Sequence, residues 1–356
     1  MSKRRRPSAE DYAVGWICAL PMELAAATEM LDEKYDSFED GGSSRYTLGR
    51  ISEHNVVVAC LPRGQMGTNS AATVAAELKS SFPSIRFGVL VEIGGGVPSA
   101  DADIRLGDVV VSLPGKMHGG VIQYDFGKST AKGLERTGFL NAPPTFLLEA
   151  IARVQANHIR GQDTRLREYI SHFNRVPAFS SANLGQDVLF DANYCHVGGP
   201  TGEKCSKERM VERGLRNNHV VIHYGLIASG DLVIKDGVER DRVASELEGV
   251  LCFEMETASI MNTFPCLVIR GICDYADSHK NKQWQPHAAA MAAAYTKDLL
   301  SVIPLAAVGQ ARTVIENLRE KQATLNSYRR QHERTCLIGT RVHVLEEINK
   351  WSKKRR

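Results

Sequence analysis

Short apolar runs bounded by polar or turn residues alternate with amphipathic segments through most of the chain. Runs of this kind are typical of buried strands. The predicted strands are Val14–Leu20, Tyr46–Ile51, Asn55–Leu61, Phe87–Ile93, Asp108–Leu113 and Val220–Ile227. The predicted helices are Met22–Leu31, Asn69–Lys79 (with Asn69 or Ser70 as its cap), Thr145–Ala156 and Ala288–Leu300. Strands that alternate with helices predict an α/β fold, with a largely parallel sheet covered on both faces.

A polar stretch from about Arg160 to Asn218 interrupts this alternation. It is rich in charge, Gly and Asn and holds only short apolar pieces. Long irregular insertions in compact domains usually carry function or move. We expect either a lid or an oligomer contact here, and the sequence does not distinguish the two.

Two acidic motifs, Phe253–Glu256 and Gly271–Asp277, each accompany an apolar run that predicts a buried parallel strand. An unpaired carboxylate costs several kcal/mol when it is buried in a core. Ligands, however, bind at the carboxyl ends of strands in open α/β sheets. The two motifs therefore predict a ligand site.

Together with three further motifs, these segments resemble the nucleoside phosphorylase and nucleosidase superfamily, in the form found at the N-terminus of fungal NACHT- and NLR-like receptor proteins. The further motifs are Tyr12–Glu23, Ile93–Gly96 with Arg105–Val111, and His223–Asp231. The resemblance covers about four fifths of the chain, from Tyr12 to near Leu305. It implies a three-layer α/β/α sandwich and cleavage of a bond between ribose and a base.

The resemblance also implies roles for the acidic motifs. Asp274 would protonate or hydrogen-bond the N7 atom of a purine, and Glu256 would accept hydrogen bonds from the ribose hydroxyls. Met255 would lie against the sugar, with Phe253 or Tyr275 stacked on the base. As alternatives, Asp274 could cap the segment that follows it, and Met255 could be ordinary core packing.

Glu23 aligns with the glutamate that activates water in the nucleosidase branch. Because Glu23 would repel phosphate, hydrolysis is favoured over phosphorolysis. The alternative is an acidic residue that complements the dipole in the first turn of a helix.

The glycines Gly94, Gly95 and Gly96 follow a predicted strand, and we expect a turn whose amides cradle an anion. Glu92 stands where relatives carry glycine, and Arg63 where they usually carry a small residue. A Glu92–Arg63 pair would close the anion pocket and leave an inactive or retargeted enzyme. Three further basic residues are candidates for anion contacts, with solvated surface residues as the alternative: Lys235, Arg240 and Arg45.

Composition narrows the remaining possibilities. The chain has 356 residues and a net charge of +3, which does not favour a nucleic-acid coat protein. Basic runs at Lys3–Arg6 and Lys353–Arg356 are either nuclear-import signals or solvated termini. No apolar run reaches the roughly 20 residues of a membrane span, and no secretory signal is recognised. We therefore expect a cytoplasmic protein, or a nuclear one if the basic runs act as signals.

The chain has eight cysteines, and many lie in apolar runs, as expected for buried thiols in a reducing compartment. Cys195, His196 and Cys205 could supply half a zinc site, but no Cys pair has the spacing that presents two thiolates from one turn. No metal and no organic cofactor is predicted.

The domain prediction has three parts: a basic disordered tail at 1–11, the phosphorylase-like domain at 12–308, and a helical extension at 309–356. In the extension, Ala311–Arg334 is predicted to be an exposed or partner-seeking helix. Thr340–Trp351 resembles the lead-in to a NACHT domain, but no phosphate loop follows. A truncated or degenerate receptor and a stand-alone relative are both compatible with this pattern.

The predicted function is hydrolysis of purine nucleosides or nucleotides, in nucleoside metabolism or as an effector module of a receptor. The expected partners are the substrate, possible phosphate and further copies of the chain in a homo-oligomer. The alternatives are a phosphate-dependent phosphorylase and a non-catalytic module for nucleoside sensing or oligomerisation.

Overall fold

The computed structural model describes residues 7–36, 45–115, 117–131, 133–216, 220–247 and 249–309. The chain divides into two compact units, Met1–Leu305 and Ala306–Arg356. The predicted helix at 311–334, the NACHT-like segment and both basic runs lie outside the described residues. None of the described helices has the length and apolar character that a membrane span needs.

The bounds of the elements agree with most predicted ones to within a few residues. The strands are β1 (Val14–Cys18), β2 (Glu33–Tyr35), β3 (Tyr46–Ile51), β4 (His54–Cys60), β5 (Phe87–Gly96), β6 (Val109–Ser112), β7 (Val121–Gln123), β8 (Gly127–Thr130), β9 (Gly133–Arg136), β10 (Ile222–Gly225), β11 (Ile227–Ser229), β12 (Cys252–Glu254) and β13 (Cys266–Asp274). The helices are α1 (Pro21–Glu29), α2 (Thr68–Ser81), α3 (Thr145–Ile159), α4 (Thr164–Phe173), α5 (Gly237–Glu246) and α6 (Gln285–Ser301).

A mixed, largely parallel sheet forms the centre of the fold, in the order β10-β6-β13-β5-β1-β4-β3-β2. Strand β5 is parallel to both of its neighbours, β1 and β13. All residues of β13 are buried, and the Ala-rich helix α6 packs against it with most of its residues buried. This arrangement confirms the predicted α/β class.

Strand β12, which carries the first acidic motif, pairs with the end of β5. It was predicted to be a parallel strand, but it runs antiparallel to β5 and parallel to β11. The run before it is too short to reveal strand direction. As a result, β12 and β13 place the two acidic motifs on opposite sides of the end of β5.

The glycines at the end of β5 lie inside the strand, so the predicted turn at Gly94 is wrong. A Cβ atom on Gly94 would lie 3.1 Å from the carbonyl oxygen of Phe253, and one on Gly95 would lie 2.9 Å from Asp274 Oδ1. Glycine is needed here because two strands approach β5 closely, not because the backbone turns. The amides of these residues belong to the sheet instead of a free anion-binding loop.

Two further local predictions differ from the structure. Helix α2 begins at Thr68 after Gly67, whose φ of 94° suits glycine, so neither Asn69 nor Ser70 is its cap. The polar insertion is not irregular throughout, since it contains α4, an amphipathic helix that buries Leu166 and Phe173. The many charged residues of the insertion obscured the apolar face of α4 in the sequence pattern.

Candidate active site

Asp274 is the last residue of β13, and both oxygens of its buried carboxylate have partners. Its Oδ1 atom accepts the backbone N–H of Ala276 at 2.9 Å, and its Oδ2 atom lies 2.9 Å from the ammonium of Lys280. The thiol of Cys273 also donates to Oδ2 at 3.0 Å. Asp274 therefore stabilises the turn that follows it, and not the start of a helix as the capping alternative expected, while it faces a cavity.

Arg270 lies in the same strand and is completely buried. Its guanidinium binds Glu254 and lies 2.8 Å from Glu92 Oε2. The predicted partner of Glu92 was Arg63, but Arg63 is exposed, so that prediction is wrong. Because Glu92 is in the buried strand β5, its side chain points to the neighbouring strand and not to the loop that carries Arg63.

Glu254 and Glu256 have different partners although they are two residues apart. Glu254 accepts the hydroxyl of Thr257 at 2.6 Å and the backbone N–H of Glu256 at 3.1 Å. Glu256 accepts the N–H of Gly67 at 3.2 Å, at the start of α2. Glu254 is thus tied to Arg270, whereas Glu256 accepts the backbone N–H groups of Gly67 and Met255.

Glu23 is buried at the start of α1 and connects that helix to β5. Its Oε2 atom accepts the N–H groups of Ala19 and Leu20 at 2.8 and 2.7 Å, as a helix-capping glutamate does. Its Oε1 atom accepts the N–H of Ile93 at 2.8 Å. Burial raises the pKa of Glu23 to about 7, although the three N–H groups and Arg270 oppose the shift. A carboxyl group with this pKa can take up or release a proton near neutrality.

The carboxylates around Arg270 carry more negative charge than one guanidinium can neutralise. Burial raises the pKa of Glu92, and the neighbouring Glu256, Glu23 and Glu254 raise it further, against the charge of Arg270. Burial and the charge of Glu254 likewise raise the pKa of Glu256. At least one of these groups is therefore expected to hold a proton near neutrality.

The two aromatic residues and the methionine that were predicted to contact substrate differ from one another in their surroundings. Tyr275 is buried at the cavity, donates its hydroxyl to Asp187 and lies under the guanidinium of Arg213. Phe253 packs edge-on against Tyr124 in an apolar cluster, at a centroid distance of 5.5 Å. Met255 is partly exposed between two buried glutamates.

A cavity of about 320 Å³ opens in front of Asp274. The strand-end loop forms one wall, with Asp274, Tyr275 and Asp277. The insertion forms another, with residues such as Phe190 and Cys205. The insertion thus lies over the candidate site, which is the position that the lid alternative predicts.

The three cations suggested as anion contacts do not form a cluster. Arg240 is buried, binds Asp241 and donates to the carbonyl oxygen of Tyr275 at 2.9 Å, so it is not a solvated surface residue. Arg45 is exposed and paired with Glu77, and Lys235 is exposed.

Sequence reasoning did not identify three residues of the site: Arg270, Glu254 and Lys280. Arg270 had a usable signal, because a charged residue within an apolar strand must find a buried partner. Glu254 lies in the first acidic motif, but its neighbour Glu256 was chosen instead. Lys280 had no local signal, since its role depends on how the turn after Asp274 folds back.

Two groups of side chains bring possible metal ligands within 4.8 Å of one another among the described residues. The first, Glu92, Glu254 and Glu256, already contains the cation of Arg270. The second consists of His196, Cys205 and His279 and lies at the edge of the cavity.

Comparisons with known proteins agree with the fold. A family model described as the phosphorylase superfamily matches residues 13–301. The chain is 47% identical over 350 residues to a nucleotide-binding leucine-rich repeat (NLR)-like protein of Hyaloscypha variabilis, a match that covers 94% of this chain and 34% of that protein. The chain therefore spans about a third of that relative. It is 26% identical over 302 residues to a 5′-methylthioadenosine/S-adenosylhomocysteine nucleosidase of Mycobacterium bovis, over 82% of this chain and 97% of that one.

Solved structures show the same architecture at low sequence identity. A putative 5′-methylthioadenosine/S-adenosylhomocysteine nucleosidase from Borrelia burgdorferi, bound to adenine, has a TM-score of 0.54 and 17% identity. The match covers 82% of this chain and all of that one.

Proposed function

Since the chain belongs to the phosphorylase superfamily, we propose that it hydrolyses the N-glycosidic bond of a purine nucleoside or nucleotide. The observation that carries this proposal is Glu23, a buried carboxyl group whose pKa of about 7 suits a base that takes a proton from water. Its three backbone hydrogen bonds hold it at the junction of α1 and β5.

The other residues complete the reaction in this proposal. Asp274 relays a proton from solvent to N7 of the purine as the bond to ribose breaks, while the Lys280 ammonium beside it keeps its charge and stabilises the carboxylate. Glu256 accepts hydrogen bonds from the ribose hydroxyls, and Met255 contacts the sugar. Glu23 takes one proton from the attacking water, so that a neutral base and a free sugar result.

The charge of the site supports hydrolysis over phosphorolysis. Glu23, Glu92, Glu254 and Glu256 surround a single buried guanidinium, that of Arg270. An incoming phosphate dianion would meet an excess of negative charge there, because the guanidinium of Arg270 is already paired with both Glu92 and Glu254. Water needs no such cationic pocket.

We base the proposed substrate class on one of the relatives. The mycobacterial relative is named for 5′-methylthioadenosine and S-adenosylhomocysteine, and we extend the adenine nucleoside class to this chain. Because one relative is named an NLR-like protein, we propose that the activity serves as the effector or sensing module of a receptor. We also propose that the chain acts as a homo-oligomer.

Release of free adenine from adenosine, methylthioadenosine, AMP and ATP tests the proposal. The reaction is run with and without phosphate, and products are separated by chromatography. Release that does not need phosphate supports a nucleosidase, and the best substrate defines the class. Release that depends on phosphate would instead identify a phosphorylase.

A second candidate, a non-catalytic nucleoside-sensing module, is favoured by the hydrogen bonding of Asp274. Both oxygens of this carboxylate already have partners within the described residues. While Lys280 occupies Oδ2 and the N–H of Ala276 occupies Oδ1, Asp274 cannot bind a purine base. Binding of adenine nucleosides by calorimetry, with no base released, would support this candidate.

A further inference from the structure

His196, Cys205 and His279 come together from two distant parts of the chain. The Nδ1 atom of His196 lies 3.6 Å from the Sγ atom of Cys205, and the ligand atoms of all three residues lie within 4.8 Å of one another. The first two residues belong to the insertion, and His279 belongs to the loop after β13. A hydrogen bond of 2.9 Å from the N–H of His196 to the hydroxyl of Ser278 joins the two segments.

The ring of His279 is buried and has unmet hydrogen-bonding capacity. Its side chain is 9% exposed, and neither ring nitrogen has a hydrogen-bond partner among the described residues. The Oδ2 atom of Asp277 lies 3.5 Å from Nδ1. Phe190 stacks on the ring at 4.1 Å between centroids and fixes its plane. A buried Nε2 atom without a hydrogen-bond partner is costly, so its position calls for a ligand.

The hydrogen bonds of the other two residues leave Nδ1 of His196 and Sγ of Cys205 next to each other. The Nε2 atom of His196 lies 2.9 Å from the carbonyl oxygen of Gly199, which only accepts hydrogen bonds, so the proton is on Nε2 and the lone pair of Nδ1 faces the sulfur of Cys205. The N–H of Val197 donates to the sulfur of Cys205 at 3.5 Å. Metal-bound histidines typically donate their second N–H to a carbonyl or carboxylate in this manner.

The geometry points to a zinc site formed by His196 Nδ1, Cys205 Sγ and His279 Nε2, with water from the cavity as the fourth ligand. In a tetrahedral site, zinc lies about 2.3 Å from sulfur and about 2.05 Å from nitrogen, which separates those two ligands by about 3.6 Å. The distance from His196 Nδ1 to Cys205 Sγ equals that value. A mixed set of thiolate and imidazole ligands selects zinc over magnesium or calcium.

Such an ion would fasten the insertion to the loop that follows Asp274. Both segments line the cavity, so the ion would hold the cover of the candidate site in place without taking part in the chemistry. This inference does not depend on the proposed function. The sequence offered His196 and Cys205 for half of a zinc site, but it did not indicate the third ligand, because His279 is far from the other two along the chain.

Metal content tests the site. The whole chain is produced in zinc-supplemented medium and purified without chelators or a metal-affinity tag. Mass spectrometry of the elements should find about one zinc per chain. Cys205→Ser and His279→Gln should lose most of it, whereas Cys195→Ser should keep it, because Cys195 is an exposed cysteine in the same loop.

Cobalt provides a second readout that needs no variant. The wild-type chain, stripped and reloaded with Co²⁺, should show visible bands of tetrahedral cobalt and a near-ultraviolet thiolate-to-cobalt band. Wild-type protein without zinc, zinc retained in both ligand variants, or a cobalt spectrum without the thiolate band would each overturn the assignment.

Discussion

The ammonium of Lys280 and the Oδ2 atom of Asp274 form an ion pair of 2.9 Å, with Asp274 almost completely buried. Burial alone would lower the pKa of Lys280, but the charge of Asp274 outweighs it and raises that pKa. Lys280 therefore stays charged beside the position proposed for the leaving base, where a cation stabilises developing negative charge.

Replacing Lys280 should affect turnover more than folding. Lys280→Met is expected to lower kcat roughly 100-fold, while Lys280→Arg keeps most activity because it retains the charge. The exposed Lys282 offers a matched control, Lys282→Met, which should be silent. Steady-state adenine release measures all three, and an unchanged kcat in Lys280→Met would contradict this role.

Arg270 should be one of the most costly residues to replace. Arg270→Met leaves Glu92 and Glu254 buried without their cation, and we expect a loss of roughly 3–5 kcal/mol in the free energy of unfolding. The control is Arg242→Met, because Arg242 pairs with two glutamates at the surface with its side chain 53% exposed. Its loss should be about 1 kcal/mol or less.

Urea unfolding measures both variants. Adding Glu92→Gln to Arg270→Met should restore part of the stability, since it removes one of the unpaired charges. A double variant that is less stable than Arg270→Met alone would show that Glu92 is not held by that charge.

Glu23 should make stability depend on pH. Because its pKa is raised from 4.5 to about 7, the native state favours the protonated form. That contribution is complete below pH 4.5, and it is lost as the pH rises through about 7. The free energy of unfolding of Glu23→Gln, minus that of wild type, should therefore increase from pH 5 to pH 8 by up to roughly 3 kcal/mol.

Urea titrations at several pH values give this difference, in which contributions from other titrating groups largely cancel. Gln keeps the size of the side chain while it removes the charge, although it also changes the hydrogen bonds to Ala19 and Leu20. That change shifts the difference in free energy of unfolding by the same amount at every pH. A difference that stays flat or decreases with pH would contradict the proposed titration.

Gly95 should be required for the position of Asp274. A Cβ atom at Gly95 would lie 2.9 Å from both Asp274 Oδ1 and the Cβ atom of Ala276. Gly95→Ala is expected to cost roughly 1–3 kcal/mol in unfolding free energy and to reduce turnover further in the folded fraction. Gly115→Ala is the control, since its added Cβ would meet no atom within 4 Å.

The sequence predicted the α/β class and most elements because apolar runs and amphipathic helices have clear periodicities. Asp274 and Glu256 were predicted because carboxylates at strand ends are unusual and because the motif resembles a family. The partner of Glu92 could not be found in this way, since it depends on which strand lies beside β5. Gly94 was assigned to a turn because glycine signals both turns and close strand approach, and sequence alone does not separate the two.

The central claim is that Asp274 assists hydrolysis of a purine glycosidic bond. The most direct test compares adenine release without phosphate by wild type, Asp274→Asn and the exposed-site control Asp101→Asn, after circular dichroism shows that all three are folded. The account predicts release by wild type and the control, with a loss of roughly 10²–10⁴-fold in Asp274→Asn. Equal release by Asp274→Asn and wild type, or no release by folded wild-type protein, would contradict it.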